Sequence, residues 1–239
     1  MDKGIRVAVV EQVGYREWTE SLGDDREWMI QSLQSEVYSA AQREASKHGG
    51  FVLPIRYDIM LILSSGLSHR QHASILSTIT SMARVPVRMS SSCGETPLDA
   101  VERAWKLLAE SSGNLVYEEC GIDEMVAVAH IDLNDVTKLT RIVGPVLAYY
   151  EVVDIVSEIT RKAQRLGVLV QYLGGDNILA VLPPRESIEN IVKELIVRSD
   201  LKAGVGVSKK ARDSLAMAAH ALHEIREGIV ADSIVVKVA

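Results

Sequence analysis

The 239-residue chain is poor in aromatic residues, poor in cysteine and without a long apolar run. Aromatics are 5% of it, with a single phenylalanine, and no extended basic stretch occurs. A stacking platform for single-stranded nucleic acid needs both, so no nucleic-acid partner is expected. Cys93 and Cys120 are the only cysteines. That is too few for a disulfide framework, and a reducing cytoplasm fits the count. Nowhere do about 18 apolar residues follow one another, which argues against a membrane span. The opening MDKGIRVAVVEQVG lacks the apolar core of a secretory leader. What is present is 47% apolar content at a net charge of -6. That suffices for one large domain or two of about 120 residues each.

The order of elements repeats. IRVAVVEQ (5–12) reads as an apolar strand ending in an acid, followed by helical spacing from Glu27 to Lys47. FVLPIRYDIMLIL (51–63) reads as strand, turn and strand with Asp58 at the bend; a helix over 69–84, a strand over 85–92 and a helix over 95–111 follow. Thr96 is the expected N-cap of that last helix, with Pro97 in its first turn. MVAVAHIDLND (125–135) starts the order again. A helix over 151–167, a strand–turn–strand over 168–183 with Asp176 at the bend, a helix over 187–199, a strand over 201–208, a helix over 211–228 and a last strand at SIVVKV (233–238) complete it. Asp132 lies 121 residues after Glu11, Asp176 118 after Asp58, and Val205 114 after Ser91. Such offsets predict two copies of one βαββαβ unit, with domains at 1–118 and 119–239. The competing reading is a single α/β domain with accidental symmetry. The class expected is α+β: two tandem ferredoxin-like, palm-type units, each with an antiparallel sheet and helices on one face.

LGGDN (173–177) sets an acid at a glycine-rich hairpin tip, beside the strand that ends in Asp132. Two neighbouring carboxylates raise each other's proton affinity unless a cation intervenes. Mg²⁺ takes one or two carboxylates and fills its remaining positions with water and phosphate. The pair Asp132 and Asp176 is therefore the candidate centre, for Mg²⁺ and a triphosphate. The plainer alternative makes Asp176 a turn residue and Asp132 a helix cap. His130, just before the strand end, is a candidate proton shuttle or a packed core histidine. In the first copy Glu11, Arg56 and Asp58 hold the equivalent places, either for the purine or ribose of a nucleotide or as a decayed second site. Glu27 is a candidate for base recognition, or an ordinary ion pair with Arg26. His69/His72 and His220/His223 have the i, i+3 spacing of metal pairs but no nearby third ligand. With two scattered cysteines, they predict surface or core histidines and no zinc.

AHIDLND with LGGDN resembles the palm-type nucleotidyl cyclase architecture, though GGDN departs from GGDEF. A closer resemblance spans nearly the whole chain: GYREWT (14–19), LQSEVY (33–38), HGGFVLPIRYD (48–58), GETPLDA (94–100), LKAGVGVS (201–208) and ALHEIREG (221–228) are similar to the GTP cyclohydrolase III family. The chain departs from that pattern at Val13 and Ile59. The resemblance implies Asp132, the carbonyl of Leu133 and Asp176 as Mg²⁺ ligands. Arg226, then Lys202, would contact phosphate, and Asn177 falls among the nucleotide-binding residues. It implies hydrolysis of GTP to 2-amino-5-formylamino-6-(5-phosphoribosylamino)pyrimidin-4(3H)-one and phosphate, stimulation by K⁺, a homo-oligomer, and a product used in flavin or deazaflavin synthesis. A nucleotidyl cyclase and a GTP-sensing module without chemistry are the alternatives.

Overall fold

The computed structural model describes residues 3–185 and 187–239. The first copy runs β1 (Lys3–Gln12), α1 (Tyr15–Ser21), α2 (Glu27–Lys47), β2 (Phe51–Leu53), β3 (Ile59–Leu63), α3 (His69–Met82), β4 (Val87–Gly94), α4 (Pro97–Glu110) and β5 (Leu115–Tyr117). The short β6 (Asp123–Glu124) pairs with the start of β1. The second copy runs β7 (Val126–Leu133), α5 (Val136–Val143), α6 (Pro145–Arg165), β8 (Leu169–Gly174), β9 (Asn177–Leu182), α7 (Ile188–Leu195), β10 (Leu201–Ser208), α8 (Ala211–Arg226) and β11 (Ile234–Val238). The two sheets have the same order, β2-β3-β1-β4-β5 and β8-β9-β7-β10-β11. In each, four antiparallel strands carry a fifth, parallel one at the edge.

The strand register supports the duplication more strictly than the order of elements does. Glu11 pairs with Arg88, and Asp132 with Lys202, so Glu11 corresponds to Asp132 and Arg88 to Lys202. Glu11 also pairs with Ile59, and Ile131 with Ile178, which makes Ile59 the counterpart of Asn177. These correspondences reproduce the offsets of 121, 114 and 118 residues read along the chain. The backbone specials agree. Tyr57 (φ 65°) matches Gly175 (φ 63°) at the hairpin tip, and Gly14 (φ 72°) matches Asp135 (φ 58°) at the start of α1 and α5. A tyrosine in the left-handed region costs roughly 1 kcal/mol, and Gln12 Nε2 secures that turn by donating to the Tyr57 carbonyl at 2.8 Å.

Helices occupy both faces of each sheet, not one face as expected from the order alone. Ala8, Val10 and Ile62 face α2 and α3 through Val37, Ala41 and Ile75. The opposite face, with Ile5, Val7 and Val9, meets α4 through Ala100, Ala104 and Leu108. The same cluster takes in Val126, Val128, Leu179 and Val181 from the second sheet and Ala211 and Ala218 from α8. The two copies thus share one apolar core on their inner faces, while Ala129, Ile131, Val152, Ile159 and Val192 form the second copy's outer core. Close approach explains the small residues. A Cβ on Gly206 would lie 2.0 Å from the Ser214 carbonyl, and one on Gly204 2.1 Å from that of Ala218. The helix rests on the strand only because both are glycine.

The cysteines depart from expectation. Cys93, at the end of β4, and Cys120, in the segment joining the copies, form a disulfide across a separation of 27 residues. On the chain-entropy account a loop of that size contributes about 3–4 kcal/mol. Two cysteines make no framework but do make this single staple, so their number is no argument for a reducing compartment. Arg6 sits beside it, 1% exposed. Its guanidinium pairs with Glu124 at 2.8 Å, donates to the Glu118 carbonyl at 2.9 Å and lies 4.3 Å from the Tyr117 ring centroid. The joining segment is thereby bound to the first sheet. Thr96 caps α4, accepting from the Asp99 N–H at 3.1 Å, as its sequence predicts. No helix among the described residues is long and apolar enough to cross a membrane.

His72 is fully buried in α3, its Nδ1 2.9 Å from the Ser68 carbonyl, whereas His69 is exposed. Burial pushes the His72 ring from 6.5 down to about 4, and Arg6 adds to the fall. The unfolded ring takes a proton at the higher of those values and the folded ring only at the lower. Stability should be complete above about pH 6.5 and should fall as pH drops through that interval. Urea melts of the wild type and His72→Leu at about pH 7 and 5 check this. The wild type should lose clearly more stability than the variant, and equal losses would remove His72 as the cause.

Candidate functional site

The strand end and the hairpin converge as their neighbouring places in the sheet require. β7 delivers Asp132, and β9 begins next to it after the tip that carries Asp176. Along β7 the alternation puts Val126, Val128, His130 and Asp132 on the inner face, towards α8. Asp132 is 2% exposed, and the end of α8 supplies Arg226 to it. Lys202, its partner in β10, places Nζ 3.1 Å from Asp132 Oδ2. Arg226 Nη2 lies 2.6 Å from Oδ1, and Nε donates to Oδ2 at 3.2 Å. The short contact lies off the line of an N–H, so Oδ1 is buried without a hydrogen bond. Oδ1 thus keeps its ion pair with Arg226 but has no aligned hydrogen bond.

Asp176 shows the cost of the arrangement. Burial, and next the charge of Asp132, push its carboxyl above the ordinary aspartate range, while Arg226 draws it back. A cleft of about 500 Å³ opens over the pair. Asp132, Asp135 and Asp176 line it with Lys202 and Arg226, and Leu133 lies at its edge. Lys138 and Arg141 also line it, both from α5. Neither was read from the sequence, because α5 was not recognised as a helix. Its eight residues follow a left-handed Asp135, an N-terminal signal that composition does not reveal.

His130 lies one turn of the pleat below Asp132, and its Nε2 is 2.8 Å from Asn177 Oδ1. Asn177 in turn donates to Asp176 Oδ1 and to the Gly174 carbonyl, each at 3.3 Å. Behind the hairpin, Tyr149, Tyr172, Pro145, Val152 and Thr140 wall a slot of about 190 Å³ that ends at Gly175. Tyr149 and Tyr172 carry no signal in the sequence beyond the scarcity of aromatics.

The first-copy candidates form a separate group. Arg56 Nη2 lies 2.6 Å from Asp58 Oδ2, closing that carboxylate in its own hairpin. Glu27 is exposed at the start of α2, 4.0 Å from Arg26, and both it and Asp58 act on the phenol of Tyr15. Among the described residues no hydrogen bond or ion pair joins Glu27, Arg56 or Asp58 to the Asp132 cleft. Arg88, counterpart of Lys202, turns away and donates to the Leu108 and Ser111 carbonyls at the end of α4. His220 pairs with Glu224 on the surface of α8, and His223 is exposed beside it.

The family model described as GTP cyclohydrolase III matches residues 7–239. A GTP cyclohydrolase III of Aeropyrum pernix is 59% identical over 235 residues, covering 98% of both chains. The chain belongs to the GTP cyclohydrolase III family. A Saccharolobus solfataricus protein of the same name is 30% identical over 222 residues, covering 93% of this chain and 95% of that one. Among solved structures, the GGDEF domain of Pseudomonas aeruginosa YfiN (TpbB) aligns with 48% of this chain and 77% of that chain at 21% identity, TM-score 0.40.

The site's electrostatics can be tested without substrate. With metal chelated, Asp176→Asn should be no less stable than the wild type, since it removes a disfavoured charge. Asp132→Ala should lose roughly 3 kcal/mol or more, because Lys202 and Arg226 are left facing each other. Added Mg²⁺ should raise the wild-type melting point and not that of Asp176→Asn. Clear destabilisation of Asp176→Asn under chelation would contradict the repulsion described.

Proposed function

We propose that the protein hydrolyses GTP in a Mg²⁺-dependent reaction, adding water at C8 of the purine, opening the imidazole ring with the formyl group retained, and cleaving the triphosphate. The product is 2-amino-5-formylamino-6-(5-phosphoribosylamino)pyrimidin-4(3H)-one. The observation that carries this reading is Asp132 and Asp176 in one cleft with Lys202 and Arg226, in a member of this family.

The donor set fits a hard divalent ion: two carboxylates, one with a buried oxygen that accepts no hydrogen bond, and no sulfur or imidazole among them. Asp132, Asp176 and the Leu133 carbonyl would hold Mg²⁺. When bound, the ion supplies charge neutralisation on phosphate and polarises oxygen. Lys202 and Arg226, both on Asp132 in the nucleotide-free protein, are the natural partners of a polyphosphate. Exchanging one carboxylate for several phosphate oxygens satisfies both cations at once. Lys138, Arg141 and the start of α5 add positive potential to the same cleft. The tyrosine-walled slot beyond Gly175 offers a face against which a purine stacks. Glu27, Arg56 and Asp58 stay candidates for base or ribose contacts, though without a link to this cleft.

Ile142, Val146, Leu147 and Tyr150 form an exposed apolar stripe on α5 and α6, which supports a homo-oligomer. A cytoplasmic setting is proposed on the ground that the substrate is GTP.

Incubation with GTP, Mg²⁺ and K⁺, followed by ultraviolet spectroscopy and mass spectrometry, tests the reading. Loss of the purine band, phosphate release and a ring-opened formyl product are expected. Arg226→Ala should mainly weaken GTP binding. An intact purine with pyrophosphate released would make the protein a cyclase, and binding without turnover would make it a sensor; either result overturns the proposal.

A further inference from the structure

The geometry points to His130 and Asn177 as a positioning pair that aims Asp176 at the metal, rather than to His130 as a proton carrier. The inference rests on the divalent-cation reading above. Asn177 Nδ2 faces two acceptors, Asp176 Oδ1 and the Gly174 carbonyl, each at 3.3 Å. Neither acceptor has a proton to give while Asp176 is ionised, so the amide orientation is determined by its surroundings. Asn177 Oδ1 therefore faces His130, and His130 Nε2, 2.8 Å away, must be the donor. That nitrogen carries a proton committed to Asn177 and is not a base.

The chain of contacts has one purpose that its geometry explains. Asp176 follows Gly174 (φ 101°) and Gly175 (φ 63°), a tip whose backbone is also held by the Tyr172 hydroxyl, which donates to the Gly175 carbonyl at 2.9 Å. Its carboxylate is also repelled by Asp132. Without a restraint it would turn to solvent. Asn177 supplies the restraint by holding both the tip's carbonyl and the carboxylate, and His130 keeps Asn177 from rotating. Partners behind a ligand commonly act this way.

The first copy serves as an internal comparison. The register puts Val9 where His130 stands and Ile59 where Asn177 stands. In that copy Asp58 is held by Arg56 instead, at 2.6 Å. Asp58 thus has an arginine partner within its own hairpin and no polar pair behind it. The His130–Asn177 pair distinguishes the hairpin acid of the second copy from that of the first.

The test measures Mn²⁺ affinity of the nucleotide-free protein by electron paramagnetic resonance, comparing the wild type with His130→Gln and His130→Asn. Both variants carry an uncharged amide. Glutamine places its nitrogen near that of Nε2, whereas asparagine is one methylene too short. His130→Gln should bind within about threefold of the wild type and keep kcat. His130→Asn should bind at least about tenfold more weakly, the usual effect of losing a partner behind a ligand. Should His130→Asn fail to fold, Asn177→Ser takes its place with the same expectation. Equal affinity in all three proteins overturns the positioning role while leaving the metal site intact. So does His130→Gln that binds Mn²⁺ normally yet loses turnover, since His130 would then be a proton carrier. A wild type that binds no Mn²⁺ removes the metal reading and this role with it.

Discussion

Everything in the cleft follows from putting two carboxylates side by side, one buried and one half-buried. Asp132 is almost wholly buried and Asp176 lies next to it. Lys202 and Arg226 make this tolerable, both lying on Asp132. Burial, and next the Asp132 charge, raise the proton affinity of Asp176. Asparagine at 176 would relieve the repulsion, whereas at 132 it would leave Lys202 and Arg226 without their acid. A raised proton affinity in a cleft that also holds two cations supports the proposed site for a cation and an anionic substrate.

The duplicated frame shows how one half of a chain becomes a site and the other a support. Both copies have the same strand order and the same left-handed turns. In the first, Glu11 stands for Asp132, Arg88 caps α4 instead of facing an acid, and Arg56 neutralises Asp58. Its remaining polar investment goes into the joining segment, through Arg6, Glu124 and the Cys93–Cys120 bridge. The inner faces of both sheets then share a core. The first copy thus packs beneath the strand that ends in Asp132.

Much of this was legible in the sequence because periodic features survive in one dimension. The three offsets reproduce the strand register, and LGGDN marked the hairpin tip. Features that depend on which surfaces meet were not legible. Nothing in the order of elements says that α4 and α8 cover inner faces. Two cysteines 27 residues apart say nothing about whether they meet. The helix α5 begins at a left-handed Asp135 with no capping side chain, so Lys138 and Arg141 went unread. The sequence leaves His130 as either a proton shuttle or a packed histidine, and the fold sets its Nε2 2.8 Å from Asn177 Oδ1.

The most direct measurement is a crystal structure with Mn²⁺ and a non-hydrolysable GTP analogue, read by anomalous scattering. The account predicts a manganese peak between the Asp132 and Asp176 carboxylates, with Lys202 and Arg226 turned from Asp132 to phosphate oxygens. A nucleotide bound with manganese elsewhere, at Asp58 for example, and both cations still on Asp132, would contradict it.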